Sequence, residues 1–284
     1  MSRLEENKHK IMDGVLLAKN ILMKVASEIK ENGYDPRLAA ILVGDDIGAI
    51  TYQKFKERKC AEVGIRYSLY AFQSTELASV KAKITELNED EDITGIMVQL
   101  PIPEGWDEDA LLEHIVPNKD VDGLNYENVG RSYYSSLSDV FVPCAAEGIM
   151  RLLTKYDVDL EGKKAVVLGR GRLLGTPVAQ LLERKNAFVT KIHSVVDRER
   201  LEHELKTADI VISATGKREI IEGRFLREGV IAIDCGNTAN EREFKEDMFD
   251  RSSLFSTVPG GVGPMTIAVL LNNVLKAYKM QKVA

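Results

Sequence analysis

Apolar and polar positions along the chain form two patterns, one typical of amphipathic helices and the other of buried strands. Between Val15 and Ile29, apolar residues recur every three or four positions, which predicts an amphipathic helix that Gly33 ends. Leu38–Val43 is a short, continuous apolar run of the kind found in strands buried on both faces. The same two patterns then repeat to the end of the chain.

The pattern predicts alternating strands and helices. The predicted strands are Leu38–Val43, Arg66–Phe72, Ile93–Leu100, Lys164–Leu168, Phe188–Ile192, Ile210–Ala214 and Val230–Asp234. The predicted helices after the first are Ala49–Val63, Leu77–Leu87, Asp107–Ile115, Pro143–Leu153, Pro177–Arg184 and Met265–Tyr278. Because strand and helix alternate, we expect an α/β fold with a mainly parallel sheet covered on both faces.

The polar, glycine-containing segment Tyr126–Ser138 ends the first alternating block. We therefore expect two domains, an N-terminal α/β domain over residues 1–140 and a Rossmann-type domain with a mainly parallel sheet over residues 141–264. No predicted strand follows the last helix, so the C-terminal segment 265–284 is expected to pack back on the first domain.

The predicted helix after Leu38–Val43 carries Tyr52 and Lys56. Residues four apart share one face of a helix, so a phenol and an amine come together there. At the carboxyl end of a strand this pair would face a ligand crevice. Taken separately, Tyr52 is also compatible with a core aromatic and Lys56 with a solvated lysine.

A glycine-rich turn joins a strand to a helix in the second block. The turn contains Gly169, Arg170, Gly171, Arg172 and Gly175, with the spacing G-x-G-x-x-x-G. Glycines allow a close backbone approach, and the following helix N-terminus attracts a diphosphate, so this turn predicts a dinucleotide site. The spacing is one residue longer than the usual fingerprint.

The end of the next strand bears on cofactor choice. His193 and Ser194 stand there, and the acid that commonly holds an NAD ribose is absent; the nearest is Asp197. Because Arg170 and Arg172 are suited to a 2′-phosphate, NADP is expected and NAD stays possible.

A third loop follows the Ile210–Ala214 strand. Its residues Thr215 and Gly216 are expected beside the cofactor, although an ordinary turn would use the same residues.

Composition removes several classes of partner. The 284 residues carry a formal net charge of −6 and no basic run, so nucleic acid is not expected. No apolar segment approaches a membrane span, and Met1–Lys8 has no apolar signal core. The histidines and cysteines show no paired ligand spacing, so no metal is expected. A reduced, cytoplasmic, soluble protein is the resulting expectation.

Three further stretches resemble one known family, the bifunctional methylenetetrahydrofolate dehydrogenase/methenyltetrahydrofolate cyclohydrolases. The first is Val43-Gly44-Asp45 with Tyr52-x-x-x-Lys56 and Val63-Gly64-Ile65, and the second is Val98–Pro103 with Lys119-Asp120-Val121-Asp122-Gly123. The third is Val258–Thr266, which contains Pro-Gly-Gly-Val-Gly-Pro-Met-Thr. The resemblance extends from about Asp13 to Asn273.

The resemblance implies a function and a set of site residues. It implies a folate cleft between two domains, with an N-terminal catalytic domain and NADP or NAD on the C-terminal one. Lys56 would be the central catalytic residue, Tyr52 would stack on or orient the pterin, Gln99 would hydrogen-bond near Lys56, and Asp122 would grip the aminopyrimidinone edge. The remaining substrate-binding residues would be Leu100, Pro101, Pro259, Gly260 and Gly261.

The implied reactions are oxidation of 5,10-methylenetetrahydrofolate and hydrolysis of the methenyl product to 10-formyltetrahydrofolate. They imply tetrahydrofolate one-carbon derivatives as partners and a role in purine, methionine and histidine biosynthesis. A cytoplasmic homodimer is expected from the family. The chemistry of the residues agrees, because hydride loss needs alignment rather than a metal, and a lysine beside a cationic substrate loses ammonium character.

Departures from the family pattern leave alternatives. Ala49 and Gly171 stand where serine is usual, and Ala145-Ala146 replaces Thr-Pro. Val195-Val196 and the segment Asn237–Asp250 also differ. A monofunctional or NAD-preferring dehydrogenase, a degenerate folate-binding protein, and a dehydrogenase of amino acids or shikimate are the competing hypotheses. An assay of methylenetetrahydrofolate with NAD or NADP separates them.

Overall fold

The computed structural model describes residues 3–236 and 241–282, and the chain divides into two compact units. In chain order the α-helices are α1 (Arg3–Glu6), α2 (Gly14–Asn32), α3 (Ile47–Val63), α4 (Leu77–Glu89), α5 (Glu108–Leu112), α6 (Tyr126–Tyr134), α7 (Cys144–Lys155), α8 (Gly175–Glu183), α9 (Arg198–Thr207), α10 (Met248–Arg251) and α11 (Val262–Lys282). The strands are β1 (Arg37–Val43), β2 (Arg66–Phe72), β3 (Gly95–Val98), β4 (Lys164–Leu168), β5 (Phe188–Ile192), β6 (Ile210–Ser213), β7 (Val230–Asp234) and β8 (Ser252–Phe255). Short 3-10 turns occupy Lys8–Lys10, Leu137–Asp139 and Gly223–Phe225.

The three-stranded unit comprises Lys19–Val142 and the chain from Ile267 onward. Its strands are parallel, in the order β2-β1-β3. The central strand β1 is buried over six of its seven residues, which explains its continuous apolar sequence. Asn273 Nδ2 donates to Val121 O at 3.0 Å and Lys276 Nζ to Val140 O at 2.8 Å, so α11 is tied to the segment before residue 143.

The five-stranded unit comprises the residues up to Ala18 and Pro143–Thr266. All of its strands are parallel, in the order β5-β4-β6-β7-β8. Its core includes Val166, Val211, Phe244 and Phe255. Because every strand runs the same way, the loops that follow β4, β5, β6 and β7 gather at one sheet edge, where ligands of such sheets bind.

The predicted α/β class with parallel sheets is confirmed. The division differs from the predicted boundaries of 1–140 and 141–264 at the N-terminus. Residues up to Ala18 belong to the five-stranded unit, because Met12 N donates to Phe255 O at 2.7 Å and Ile11 bridges Phe255.

Five elements were not predicted, namely helices α1, α6, α9 and α10 and strand β8; α1 and α10 have only four residues each. Helix α6 buries the polar residues Asn128 and Ser132, and α9 buries only Leu205. Both helices are polar in overall composition, so their sequences carry little apolar signal. Strand β8 has four residues, two of them serine. Strand β3 is also shorter than predicted, and α11 begins at Val262, inside the Pro-Gly-Gly motif.

Candidate active site

Helix α3 turns one continuous face into the three-stranded unit. Its buried residues, spaced three or four apart, are Ala49, Gln53, Lys56, Cys60 and Val63. Asp46 caps the helix by accepting from Ala49 N at 2.6 Å, and Gly64 ends it in the left-handed region with φ of 82°. An amide and an amine therefore occupy positions where a packed helix normally places apolar side chains.

The structure brings Lys56, Gln99 and Tyr52 together. Lys56 is only 4% exposed, and its Nζ donates to Gln99 Oε1 at 2.7 Å and contacts Met97 Sδ at 3.5 Å. The same Nζ lies 4.7 Å from the centre of the Tyr52 ring, one helical turn away. The predicted pairing of Tyr52 with Lys56 on one helix face is present.

Strand β3 places Gln99 at its carboxyl end. Gln99 N donates to Ile41 O at 2.8 Å, which continues the pairing with β1, and its Nε2 donates to Leu100 O at 2.7 Å. The following Leu100-Pro101 peptide is cis. Leu100 is half-buried and Pro101 is exposed, so the chain approaches the surface directly after the buried Gln99 side chain.

Two residues absent from the sequence prediction complete this cluster. Gln53 Nε2 donates to Gln99 Oε1 at 3.0 Å, and the Tyr67 hydroxyl donates to Gln53 Oε1. Gln53 is three residues before Lys56, so its place on the buried face of α3 is readable from spacing. Tyr67 lies on another element and had no local signal.

Burial keeps the neighbouring titratable groups uncharged. It raises the pKa of the Cys60 thiol to about 12, against a lowering by Lys56 and a small rise from Glu57. It also raises the pKa of Tyr67 well above its ordinary value, with Cys60 and Glu57 adding to the rise. The Tyr67 hydroxyl is therefore a donor throughout the physiological range.

In the Lys119–Gly123 motif, Lys119 and Asp120 are buried and make hydrogen bonds that hold the turn. Lys119 Nζ donates to Leu87 O, Asn88 O and Asp90 O at 3.0, 2.8 and 2.6 Å, and burial lowers its pKa. It therefore anchors the motif to the end of α4.

Asp120 is 2% exposed and holds the turn. It accepts from Gly123 N at 3.1 Å, Asn125 N at 2.8 Å and Asn128 Nδ2 at 2.9 Å. Burial raises its pKa to about 6, despite these hydrogen bonds. Asp120 forms a parallel bridge with Ile96, and Asp122 is half-buried inside the turn that follows.

The Pro-Gly-Gly motif belongs to the five-stranded unit. Gly261 N donates to Thr257 O at 2.8 Å, Thr257 Oγ1 donates to Pro259 O at 2.8 Å, and the peptide before Pro259 is cis. Gly260 has φ of 107°, which favours glycine. These bonds make a tight turn, and the role of Pro259, Gly260 and Gly261 in substrate binding stays a prediction.

The glycine turn after β4 is closely packed at both ends. Gly169 has φ of 104°, and a Cβ there would lie 2.1 Å from Ala214 O. A Cβ on Gly175, where α8 begins, would lie 2.4 Å from Gly169 O. A Cβ on Gly171 would meet open space, so the backbone of the turn is accessible at this glycine.

Polar and charged residues within the turn and after β5 suit a dinucleotide. His193, after β5, has a buried Nδ1 that makes no hydrogen bond within the described residues, so it can pair with a bound group. Ser194 and Arg170 are exposed, and Arg172 is half-buried. Together with the positive end of α8, these groups fit an anionic cofactor.

A buried carboxylate that was not predicted holds the loop after β6. Glu243 is 1% exposed and accepts from Thr215 N at 2.9 Å, Thr215 Oγ1 at 2.7 Å, Gly216 N at 2.8 Å and Ser213 Oγ. The backbone amides of Thr215 and Gly216 are thus engaged by the protein. These hydrogen bonds fix the shape of the loop. A cofactor that accepts from the same two amides has to compete with the Glu243 carboxylate for them.

Asp234, at the end of β7, holds Glu243 in turn. Its carboxylate accepts from Glu243 N at 3.1 Å and Phe244 N at 3.2 Å, and burial raises its pKa. Part of the divergent segment Asn237–Asp250, residues 237–240, lies outside the described residues.

The described part of the chain has neither a cluster of metal-binding side chains nor a membrane-spanning helix. Residues 3–236 and 241–282 contain no group of three or more His, Cys, Asp or Glu side chains arranged to hold a metal ion. Within the same residues, no helix combines the length and apolar composition that a membrane crossing requires.

Family models match both halves of the chain. The catalytic domain of tetrahydrofolate dehydrogenase/cyclohydrolase matches residues 12–122, and the NAD(P)-binding domain of the same family matches residues 143–282. The chain belongs to the tetrahydrofolate dehydrogenase/cyclohydrolase family, as its motifs indicated. Within that family it is a bifunctional enzyme, a dehydrogenase and a cyclohydrolase.

Individual relatives agree over nearly the full length. The bifunctional protein FolD of Caldanaerobacter subterraneus subsp. tengcongensis is 40% identical over 277 residues, covering 96% of this chain and 98% of the relative. The crystal structure of the Campylobacter jejuni bifunctional enzyme FolD is 36% identical with a TM-score of 0.89, covering 95% and 98% of the two chains. The Trypanosoma brucei dehydrogenase-cyclohydrolase, complexed with NADP cofactor and inhibitor, is 31% identical with a TM-score of 0.90, covering 96% and 98%.

Proposed function

We propose that this enzyme oxidises 5,10-methylenetetrahydrofolate with NADP and hydrolyses the resulting 5,10-methenyltetrahydrofolate to 10-formyltetrahydrofolate. In the first reaction the methylene carbon loses a hydride and becomes a cation shared by two nitrogens. In the second, water adds to that carbon, one carbon–nitrogen bond breaks and a proton is released. Bound NADP supplies the hydride acceptor for the first reaction.

The observation that carries the proposal is a buried amine held by a neutral amide. Lys56 Nζ is 2.7 Å from Gln99 Oε1 in a face that is otherwise apolar, apart from Gln53. A cationic substrate nearby favours the neutral amine, because like charges disfavour the ammonium. Neutral Lys56 then takes a proton from the attacking water, and the ammonium returns one to the departing nitrogen.

Substrate orientation falls to the residues around Lys56. Tyr52 presents an aromatic ring whose face contacts the amine, a surface suited to a flat pterin. Asp122 is assigned to the pterin edge, where a carboxylate accepts from two neighbouring N–H groups. Support for choosing Asp122 over Asp120 comes from burial, because Asp120 already accepts three hydrogen bonds inside the turn.

We assign cofactor binding to residues at the sheet edge of the five-stranded unit. The turn from Gly169 to Gly175 and the start of α8 would hold the diphosphate, and His193 Nδ1 would accept or donate one hydrogen bond. Arg170 and Arg172 would hold the 2′-phosphate of NADP.

Lys56→Met tests the assignment. The substitution keeps an unbranched side chain and removes the only proton carrier proposed for hydrolysis, so the cyclohydrolase kcat should fall at least about 100-fold. The dehydrogenase kcat should fall less than about 10-fold, since hydride transfer moves no proton. Both activities are followed by the absorbance of methenyltetrahydrofolate and of reduced cofactor.

Lys54→Met is the matched control, because Lys54 is an exposed lysine on the same helix. It should leave both activities within about twofold of wild type, as exposed substitutions generally do. Wild-type hydrolysis by purified Lys56→Met would refute the role of Lys56.

We further propose a cytoplasmic homodimer that supplies one-carbon units for purine, methionine and histidine synthesis. The support is the full-length resemblance to bifunctional relatives. Sedimentation at micromolar concentration tests the dimer, and a one-carbon auxotroph complemented by the wild-type gene and not by Lys56→Met tests the metabolic role.

A further inference from the structure

We infer that Gln53 and Tyr67 are positioning residues for hydrolysis, because together they orient the Gln99 amide that holds Lys56. This inference rests on the proposed role of Lys56. It concerns a relay of side chains from strand β2, through helix α3, to the end of strand β3. Every member lies within the three-stranded unit.

The Gln99 carbonyl is held by two donors at once. Its Oε1 accepts from Lys56 Nζ at 2.7 Å and from Gln53 Nε2 at 3.0 Å, while its Nε2 donates to Leu100 O at 2.7 Å. A primary amide can turn over and exchange its oxygen for its NH₂ group. In the turned orientation, NH₂ would face two donors and the oxygen would face the Leu100 carbonyl.

The Gln53 side-chain amide can also take two orientations, and its hydrogen bond with Tyr67 selects one of them. The Tyr67 hydroxyl donates to Gln53 Oε1, which directs Gln53 Nε2 toward Gln99. A phenol can also accept, but burial keeps this one protonated, so its proton needs an acceptor. Orientation therefore passes from Tyr67 to Gln53, then to Gln99 and Lys56.

The relay occupies positions that packing alone would fill differently. Gln53 is 1% exposed and sits between Ala49 and Cys60 on the buried face of α3. Burying an amide costs free energy unless all its polar atoms are paired, and an apolar side chain there avoids that cost. A side chain that only filled this position would not need an amide group, whereas a side chain that orients the Gln99 amide does need one.

The test uses Gln53→Met, Tyr67→Phe and the double variant. Gln53→Met keeps the side-chain length and removes the donor to Gln99, so the cyclohydrolase kcat should fall about 10-fold, as for one lost hydrogen bond. Tyr67→Phe removes one hydroxyl and should lower it about 3-fold. The KM for the methenyl substrate and the dehydrogenase kcat should stay within about twofold, because neither residue is assigned to substrate or cofactor.

The double variant gives a readout that a purely structural role would not produce. Tyr67 acts on Lys56 only through Gln53, so Tyr67→Phe should cause no further loss of cyclohydrolase kcat when Gln53→Met is already present. Tyr70→Phe is the matched control: it removes a hydroxyl from the opposite face of the same strand and should change neither activity.

Three outcomes would overturn the inference. These are an unchanged cyclohydrolase kcat in both single variants, effects that multiply in the double variant, or equal losses of both activities. If Gln53→Met fails to fold, Tyr67→Phe decides alone, with a selective loss of hydrolysis as the expected result. Hydrolysis by Lys56→Met at the wild-type rate would instead refute the proposed function itself.

Discussion

At the scale of single residues, burial separates side chains of the same type into different roles. Asp120 and Asp122 are two positions apart, yet Asp120 is enclosed by donors and Asp122 is half-buried. Lys119 and Lys56 also differ in their partners, since Lys119 donates to three backbone carbonyls, whereas Lys56 donates to the Gln99 amide oxygen and contacts the Met97 thioether. The partner of each group, more than its type, decides which chemistry is open to it.

The raised pKa of Asp120 makes stability depend on pH. Its pKa rises from 3.8 to about 6 on folding, so between these values the folded state binds the proton more tightly than the unfolded state. Stability therefore falls as pH rises from about 4 to about 6, by on the order of 3 kcal/mol.

Asp120→Asn removes this titration, so the variant should gain stability relative to wild type as pH rises from 4 to 7. Urea unfolding at a series of pH values measures the difference. A difference in unfolding free energy that stays constant across that range would contradict the assignment.

At the scale of elements, the loops after the strands of the five-stranded unit are held by buried carboxylates. Glu243 accepts from the loop after β6, and Asp234 at the end of β7 accepts from the backbone of Glu243. The segment around Glu243 thus acts as a brace between two loops at one sheet edge. Because that edge is the proposed cofactor site, the brace sets the shape of one of its walls.

Glu243→Gln should loosen this brace. One carboxylate oxygen becomes an NH₂ group that faces donors, which should cost about 1–3 kcal/mol of unfolding free energy. The affinity for NADP should fall about 3- to 10-fold, measured by titration calorimetry. Exposed Glu246→Gln, three residues away, is the control and should change neither quantity. Unaltered stability together with unaltered NADP affinity in Glu243→Gln would rule out the brace.

At the scale of the whole molecule, an acidic chain must still bind an anionic cofactor. The net charge is −6, so attraction for NADP has to come from local groups, for which we propose Arg170, Arg172 and the start of α8. Val195 is 81% exposed and offers no hydrogen bond next to Ser194. The cofactor preference therefore depends on few residues.

We expect kcat/KM to be higher with NADP than with NAD. Arg170→Ala and Arg172→Ala should each lower the NADP value about 10-fold and leave the NAD value within about threefold, since only NADP carries the 2′-phosphate. Exposed Arg58→Ala, in the three-stranded unit, should alter neither value. A wild-type preference for NAD, or an unchanged ratio in both arginine variants, would place the selectivity in other residues.

The local sequence determined the repeating strands and helices, the glycine turn and the meeting of Tyr52 with Lys56. Strands β2, β4, β5 and β7 have the predicted bounds. Strands β4 and β7 are mostly buried apolar runs, whereas β2 and β5 are more exposed and are identified by their aromatic and β-branched residues. Residues four apart in a helix meet whatever surrounds them, so the contact between Tyr52 and Lys56 needed no knowledge of the fold.

Only the tertiary structure decided which polar groups meet across long separations. Gln53 and Gln99 are 46 residues apart, and Thr215 and Glu243 are 28 apart. Each meeting depends on which elements pack side by side in the folded unit, and that choice leaves no periodic trace in the sequence near the residues involved. Local periodicity identifies the face of an element that is buried, whereas the partner on the other side is chosen by the packing of the whole unit.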